Sequence, residues 1–318
     1  MAERPRYSQL PGGFAWDLLD PALGSLELLT PERVAAAAAL VRSGRRFSLN
    51  LPLDVPDPPM FGRQAMRHEV FELLPGMVLD DKIDNFYPQA STQWDAFSHY
   101  AHTERGYFGG VDNETAKAGR LGIDAWARVG IAGRGVLLDV ARHAAATGEA
   151  LAVDDATVIT TDRLEAVAAW AGVELQTGDI LCVRTGWVGY YRGLDADRRT
   201  ELSAASTDYT FQNFRTPGLG PGPEVAEFLW DHGVAAVAVD NPGVEPFGPA
   251  MMDGSSGIND SLHTRVLAML GIPLGEFFDF DALAGDCEGD GRWEFLFTSA
   301  PLTIPGGVGS PPNALAIK

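Results

Sequence analysis

Residues 30–42 place Thr30, Pro31 and Glu32 ahead of an alanine-rich run, and this order predicts a helix. Thr30 caps it, Pro31 suits its first position, Glu32 meets its positive end and Gly44 stops it. Residues 47–53 alternate apolar and polar as a strand does, after which Pro52, Pro56, Pro58 and Pro59 force an extended loop. Such an arm reads equally as a cover for a neighbouring subunit or as a plain surface loop.

Residues 135–140 form a short apolar run bounded by glycine and charge, a strand pattern. A helix follows, capped by Thr161 or Asp162, with Leu164, Val167, Ala168 and Ala171 on its apolar face. The Gly178-Asp179 turn launches an apolar strand over 180–184. Gly222 and Pro223 open a third helix that closes at Gly233, and residues 235–239 read as a buried strand. That strand runs into Asp240 and Asn241, which face a ligand in one reading and build the turn before Pro242 in the other. Strands alternating with helices predict an α/β fold.

Residues 89–100 concentrate the polar chemistry. They hold Asp95, His99, Gln89, Gln93, Ser91 and Thr92 among Trp94, Phe97 and Tyr100, and the aromatic rings should draw the polar groups out of water. On a helical turn the four-residue spacing puts Asp95 and His99 on one face, as an acid/base pair or half a metal site requires. An exposed ion pair or cap is the bland reading. Phe86 and Tyr87 flank this cluster behind the helix-barring Pro88.

A second constellation lies near the end. His263, Val266, Leu267 and Leu270 share a helix face stopped by Gly271 and Pro273, so the imidazole leaves from apolar surroundings. Glu276 sits in an apolar strand segment, where an unpaired carboxylate is costly and calls for a cation, an arginine or a proton.

Composition narrows the partners. The 318 residues carry a net charge of -19, which argues against nucleic acid and anionic membrane. No apolar run is long enough to span a bilayer, the first ten residues lack a signal-peptide pattern, and Cys182 and Cys287 have no metal-like spacing, so a cytoplasmic protein is expected. No phosphate-binding P-loop is present. Residues 218–222 lack the context of a dinucleotide fingerprint, and residues 253–257 miss a nucleophile elbow by one position and read as a flexible loop.

Residues 89–99 resemble the signature of the cyclase family, the group of bacterial kynurenine formamidase and isatin hydrolase, which reads H-x-G-T-H-x-D-x-x-x-H. Thr92, Asp95 and His99 match it, Gln89, Ser91 and Gln93 depart from it, and T-Q-W-D is similar to a branch of the same family. The resemblance implies Asp95 as a metal ligand and His99 as the acid/base, with Gln at both earlier histidine positions. His263 and Glu276 resemble the family's remaining ligand pair. The R-T-G-W run at 184–187 resembles a strand end facing the pocket, although Trp187 reads equally as core.

The resemblance also implies a mixed β-core of the swivelling β/β/α type with helices packed outside. It would form one domain over 1–318 with an N-terminal arm (1–60) and a Pro/Gly-rich tail (301–318), assembled as a homodimer or homotetramer. The tail would wrap a partner subunit or the pocket mouth.

If Gln93, Asp95, His263 and Glu276 converge, with Gln89 nearby, their oxygen-rich set suits Mn²⁺ over Zn²⁺. The expected reaction is hydrolysis of an amide, lactam or lactone, or ring closure, using metal-activated water and His99. Phe86, Tyr87, Trp94 and Trp187 would bind a small, flat, largely apolar carbonyl substrate. Carboxamide is a poorer ligand than imidazole, so two alternatives stand: a metal-free cyclase using His99 and Asp95, and an inactive binding module.

Overall fold

A computed structural model describes residues 4–149, 151–208, 210–249 and 258–318. Its centre is a nine-stranded sheet in the order Arg46–Ser48, Leu315–Ile317, Glu294–Ser299, Ile131–Asp139, Ile180–Arg184, Ala236–Val239, Leu274–Glu276, Gln93–Asp95 and Gly309–Ser310. The four strands from Ile131–Asp139 to Leu274–Glu276 run parallel, and the outer pairings are antiparallel. Parallel strands are covered on both faces, which is why Leu181, Cys182 and Val183 are all buried and apolar.

The sheet has to curl. Four residues join Ser310 to Leu315, a reach of roughly 18 Å at most. Their strands lie seven places apart in the sheet, about 34 Å if it were flat. The tail supplies two strands of the chain's own sheet, because its backbone finds ladder partners at both ends.

Helices cover the sheet as the α/β pattern predicts. Thr161–Ala171 buries Leu164 and Val167, but its cap is Thr160, whose hydroxyl accepts from Arg163 N–H. Thr30 does cap Pro31–Ala38, which unwinds into turns before residue 42. Pro223–Asp231 starts after Gly222 as expected, and the strand placed at 135–140 is longer, Ile131–Asp139. The segment after His263 is a π-helix, Thr264–Met269, rather than a regular α-helix. Residues 253–257 lie outside the described residues.

The proline arm packs on its own chain. Asp57 N–H donates to Tyr191 Oη (2.8 Å), Ser203 Oγ donates to Pro59 O (2.6 Å), and Phe61 N–H donates to Ser206 Oγ (2.8 Å). Beyond it, Arg67–Leu74 and Val78–Asp84 form an exposed hairpin that the sequence reading did not foresee. Both cysteines are buried and free. No helix among the described residues is long and apolar enough to cross a membrane.

Gly275 marks the tightest packing near the site. It pairs with Trp94, and a Cβ there would lie 2.6 Å from the Phe278 ring and 2.8 Å from the Trp94 ring. Gly275→Ala should lower unfolding stability by about 1–3 kcal/mol through overpacking, as read by urea denaturation. Unchanged stability would show that both rings yield freely.

Candidate active site

The site is made by strand register. In the ladder between Leu274–Glu276 and Gln93–Asp95, Glu276 stands opposite Gln93, and Leu274 stands opposite Asp95. Residues two apart on a strand share a face, so Gln93, Asp95 and Glu276 project together while Trp94 and Gly275 project to the other side. The helical turn expected to align Asp95 with His99 is absent. The strand ends at Asp95, and a turn closed by His99 N–H to Ala96 O (2.9 Å) brings His99 Nε2 to 3.8 Å from Asp95 Oδ1. A strand wins here because both of its edges are paired, by Leu274–Glu276 and by Gly309–Ser310.

His263 enters from the start of the π-helical segment. Its Nε2 lies 3.1 Å from Glu276 Oε1 and 3.9 Å from Asp95 Oδ2, and its Nδ1 lies 3.0 Å from Glu245 Oε1. Glu245 also accepts the Leu262 N–H. Gln93 Nε2 donates to Glu276 Oε2 (2.7 Å) and, at the limit of hydrogen bonding, to Asp95 Oδ1 (3.5 Å). Gln93 Oε1 and Asp95 Oδ2 are buried and have no hydrogen-bond partner among the described residues.

The electrostatics follow from burial. Asp95, Glu245 and Glu276 bring three carboxylates into a space where each is 5% exposed or less, against imidazoles that supply at most one charge each. Burial pushes Glu276 up to about 7, with the His263 hydrogen bond working the other way. For His263 the burial penalty is outweighed by Glu245 and Glu276, and its pKa rises well above the ordinary imidazole value. For His99 loss of hydration dominates the attraction of Asp95, and its pKa falls. A lowered pKa leaves His99 neutral and able to accept a proton near neutral pH.

Donor atoms of Asp95, His263 and Glu276 all lie within 4.8 Å of one another. With the unpartnered Gln93 and Asp95 oxygens beside them, these groups fit a divalent cation. His263 would coordinate through Nε2 while Glu245 accepts from Nδ1–H, fixing the tautomer.

The structure therefore gathers Gln93, Asp95, His99, His263 and Glu276 into one place. Gln89 lies beside Gly309. Trp94 faces away, with its ring against Phe278 (5.1 Å between centroids) and its Nε1 donating to Ser299 Oγ. Trp187 is buried in a second apolar cluster, stacked on Tyr191 and next to Phe277. Phe86 is partly buried and Tyr87 exposed, just after the hairpin.

Glu245 escaped the sequence reading because no periodic pattern surrounds it. So did Arg63, which acts electrostatically on both His99 and Glu276 from the proline arm. Asp240 is taken up by the chain itself, accepting from Thr185 N–H, Thr185 Oγ1–H and Gly186 N–H just past the end of the neighbouring strand. Asn241 donates to Pro217 O and to the Glu245 backbone O, so it steadies the loop that carries Glu245.

Fold and site together define a mixed α/β protein with a buried carboxylate–imidazole centre. Residues 46–246 match the family model for Cyclase, and the chain belongs to that family. Among solved structures, it is similar to one described as a novel cyclase, with 31% identity, TM-score 0.80, and coverage of 96% of this chain and 99% of that one. It also shares its fold with isatin hydrolase A from Labrenzia aggregata, solved with benzyl benzoate (19% identity, TM-score 0.57, 86% and 93% covered). Isatin hydrolase A from Ralstonia solanacearum shares it too (18% identity, TM-score 0.57, 91% and 98% covered). No curated protein matches the chain in sequence.

Asp240 gives a pH test of the scaffold behind the site. Burial raises its pKa to about 6 against the pull of its donors and of Arg184, so the folded state takes up this proton before the unfolded state does. The group's contribution to stability should fall as pH rises from about 4 to about 6, by up to roughly 3 kcal/mol. Urea unfolding across that range should show a pH slope in the wild type that Asp240→Asn lacks. Parallel slopes would mean that the donors, and not burial, set this charge.

Proposed function

We propose that this chain is a hydrolase of cyclic or cyclisable carbonyl compounds, cleaving an amide, lactam or lactone with a divalent cation held by Asp95, His263 and Glu276. The observation that carries this reading is the convergence of those three donors within 4.8 Å, beside two buried oxygens that lack hydrogen-bond partners. Gln93 Oε1 would complete a set of three oxygens and one nitrogen, which favours Mn²⁺ over Zn²⁺. A cation in such a set supplies Lewis-acid polarisation of a carbonyl and makes water more acidic.

The chain's own residues do the rest. His99, 25% exposed on its side chain, is reachable from solvent and takes up or returns a proton at Nε2. Asp95, fully buried beside it, holds the imidazolium as it forms. Glu245 fixes His263, and Gln93 Nε2 holds the Glu276 carboxylate in place. Phe61, partly buried over the core rings of Phe214 and Phe247, offers an apolar edge for a flat substrate.

One observation favours the metal-free reading. Glu276 already receives hydrogen bonds from Gln93 and His263, which offset part of its burial cost without a cation. Proton transfer between His99 and a carbonyl substrate would then serve a cyclase reaction.

Elemental analysis of protein purified without chelator separates the two. Near-stoichiometric manganese, lost in Asp95→Ala and Glu276→Ala, is expected; a folded, metal-free wild type would sink the metallohydrolase reading. With lactam, formamide and lactone substrates screened on the loaded protein, His99→Ala should lower kcat by about 10²–10⁴-fold while metal content stays unchanged. Unaltered turnover would remove His99 from the chemistry.

A further inference from the structure

We propose that the hairpin formed by Arg67–Leu74 and Val78–Asp84 is the surface through which this protein assembles, its outer half enclosed by a second copy of the chain.

The hairpin is written into its own sequence. Leu74-Pro75-Gly76-Met77 makes the turn, with proline at the first central position, Gly76 in the left-handed region at φ +67° and Met77 N–H donating to Leu74 O (3.0 Å). Ladder pairs run from Leu74 with Val78 to Arg67 with Asp84, and beyond them Asn85 Nδ2 donates to Ala65 O (2.9 Å). Every residue of both strands is exposed, and among the described residues no third strand joins them. A two-stranded hairpin alone in water is barely stable, so these strands need cover that the chain itself does not supply.

The two halves of the hairpin differ in chemistry. Near the base, Lys82 Nζ lies 3.1 Å from Glu69 Oε2 and His68 Nε2 lies 2.8 Å from Asp81 Oδ2, the cross-strand pairs of a solvated surface. In the outer half Val70, Phe71, Leu73 and Leu74 on one strand meet Val78 and Leu79 on the other, and Met77 follows the turn; all are exposed. Residues directly opposite share a face, so Phe71 projects to one side while Val70 and Leu79 project to the other. An end that is apolar on both faces is buried by being gripped, not by resting on a flat surface. These residues expose on the order of 700 Å², above the ~300–600 Å² of the largest patch on an ordinary monomer and near the ~800 Å² each partner gives to a standard interface.

The occupant has to be present wherever the chain is. An apolar end flanked by two unpaired strand edges invites aggregation unless it is covered permanently, and a second copy is always supplied in equal number. Two-fold pairing also closes, because each hairpin enters the other copy and no apolar end is left to extend a filament. A lipid surface fits less well. Glu69, Glu72, Asp80, Asp81 and Asp84 outnumber Arg67 and Lys82 on a chain of net charge -19, which disfavours anionic headgroups. Glu72 and Asp80 also lie within the apolar half, where a protein partner can offer donors and acyl chains cannot.

Sedimentation velocity on the full chain at micromolar concentration reads the mass, and the wild type is expected at twice the 34.0 kDa of one chain. Leu79 is 68% exposed and Met77 83% exposed on the single chain, so neither is needed to fold it. Leu79→Glu and Met77→Glu should each weaken association by roughly 100-fold or more with an unchanged circular dichroism spectrum, since a two-fold axis repeats the buried charge. Lys82→Gln, at the solvated base, should leave the mass as it is. Oxidation of Met77 to its sulfoxide by hydrogen peroxide, followed by mass spectrometry, should be slow in the wild type and fast in Leu79→Glu.

A wild type that sediments as one chain overturns the proposal, as does an assembly that persists in both glutamate variants or leaves Met77 freely oxidised. Flotation of the wild type with phosphatidylcholine vesicles, lost in Leu79→Glu, would assign the hairpin to a lipid surface and overturn it equally.

Discussion

The site depends on one short antiparallel ladder. Pairing Glu276 with Gln93 and Leu274 with Asp95 places three polar side chains on one face of a buried strand pair, where alternation alone guarantees their convergence. A one-residue slip of Gln93–Asp95 would turn Gln93 and Asp95 to the opposite face, leave Glu276 behind and bring Trp94 into their place. Gly275 secures the register from behind, because the space a side chain would need there is filled by Trp94 and Phe278. The ladder is therefore held by apolar packing on one side and by charge and hydrogen bonds on the other.

That arrangement carries a burial cost that the surrounding chain offsets in stages. Glu276 accepts hydrogen bonds from Gln93 and His263, His263 Nδ1–H donates to Glu245, and the loop bearing Glu245 is steadied by Asn241. Each link moves polar strain outward towards backbone that is already satisfied. What remains at the centre is two buried oxygens, Gln93 Oε1 and Asp95 Oδ2, without hydrogen-bond partners among the described residues, and an excess of carboxylate charge that a divalent cation would offset in part. Glutamine at position 93 fits this chain of contacts through its two-sided amide. Its N–H₂ meets Glu276 while its oxygen stays buried without a hydrogen-bond partner among the described residues.

The proline arm links the centre to the second apolar cluster. Its hydrogen bonds to Thr92 at one end and to Ser206 at the other give a rigid strap across residues on either side of the site. Phe61, partly buried, packs with the buried Phe214, Phe247 and Phe277 in one apolar cluster that ends one residue from Glu276.

The sequence by itself determined the α/β class, the strands at Ile180–Arg184 and Ala236–Val239, and the helix at Pro223–Asp231, because apolar runs and caps are local signals. It also marked Asp95, His99, His263 and Glu276, since polar groups among apolar neighbours stand out in any linear reading. Tertiary structure decided the rest. Ladder partners on both edges made Gln93–Asp95 a strand where spacing suggested a helical turn. Alternation on that strand sent Trp94 into the core and away from the pocket. The tail became sheet because its backbone met partners over 200 residues away in the chain, as at Gly309 and Asp95. Glu245 was invisible in sequence for the same reason: a charged residue in an aperiodic loop acquires a role only from what the fold sets in front of it, here His263.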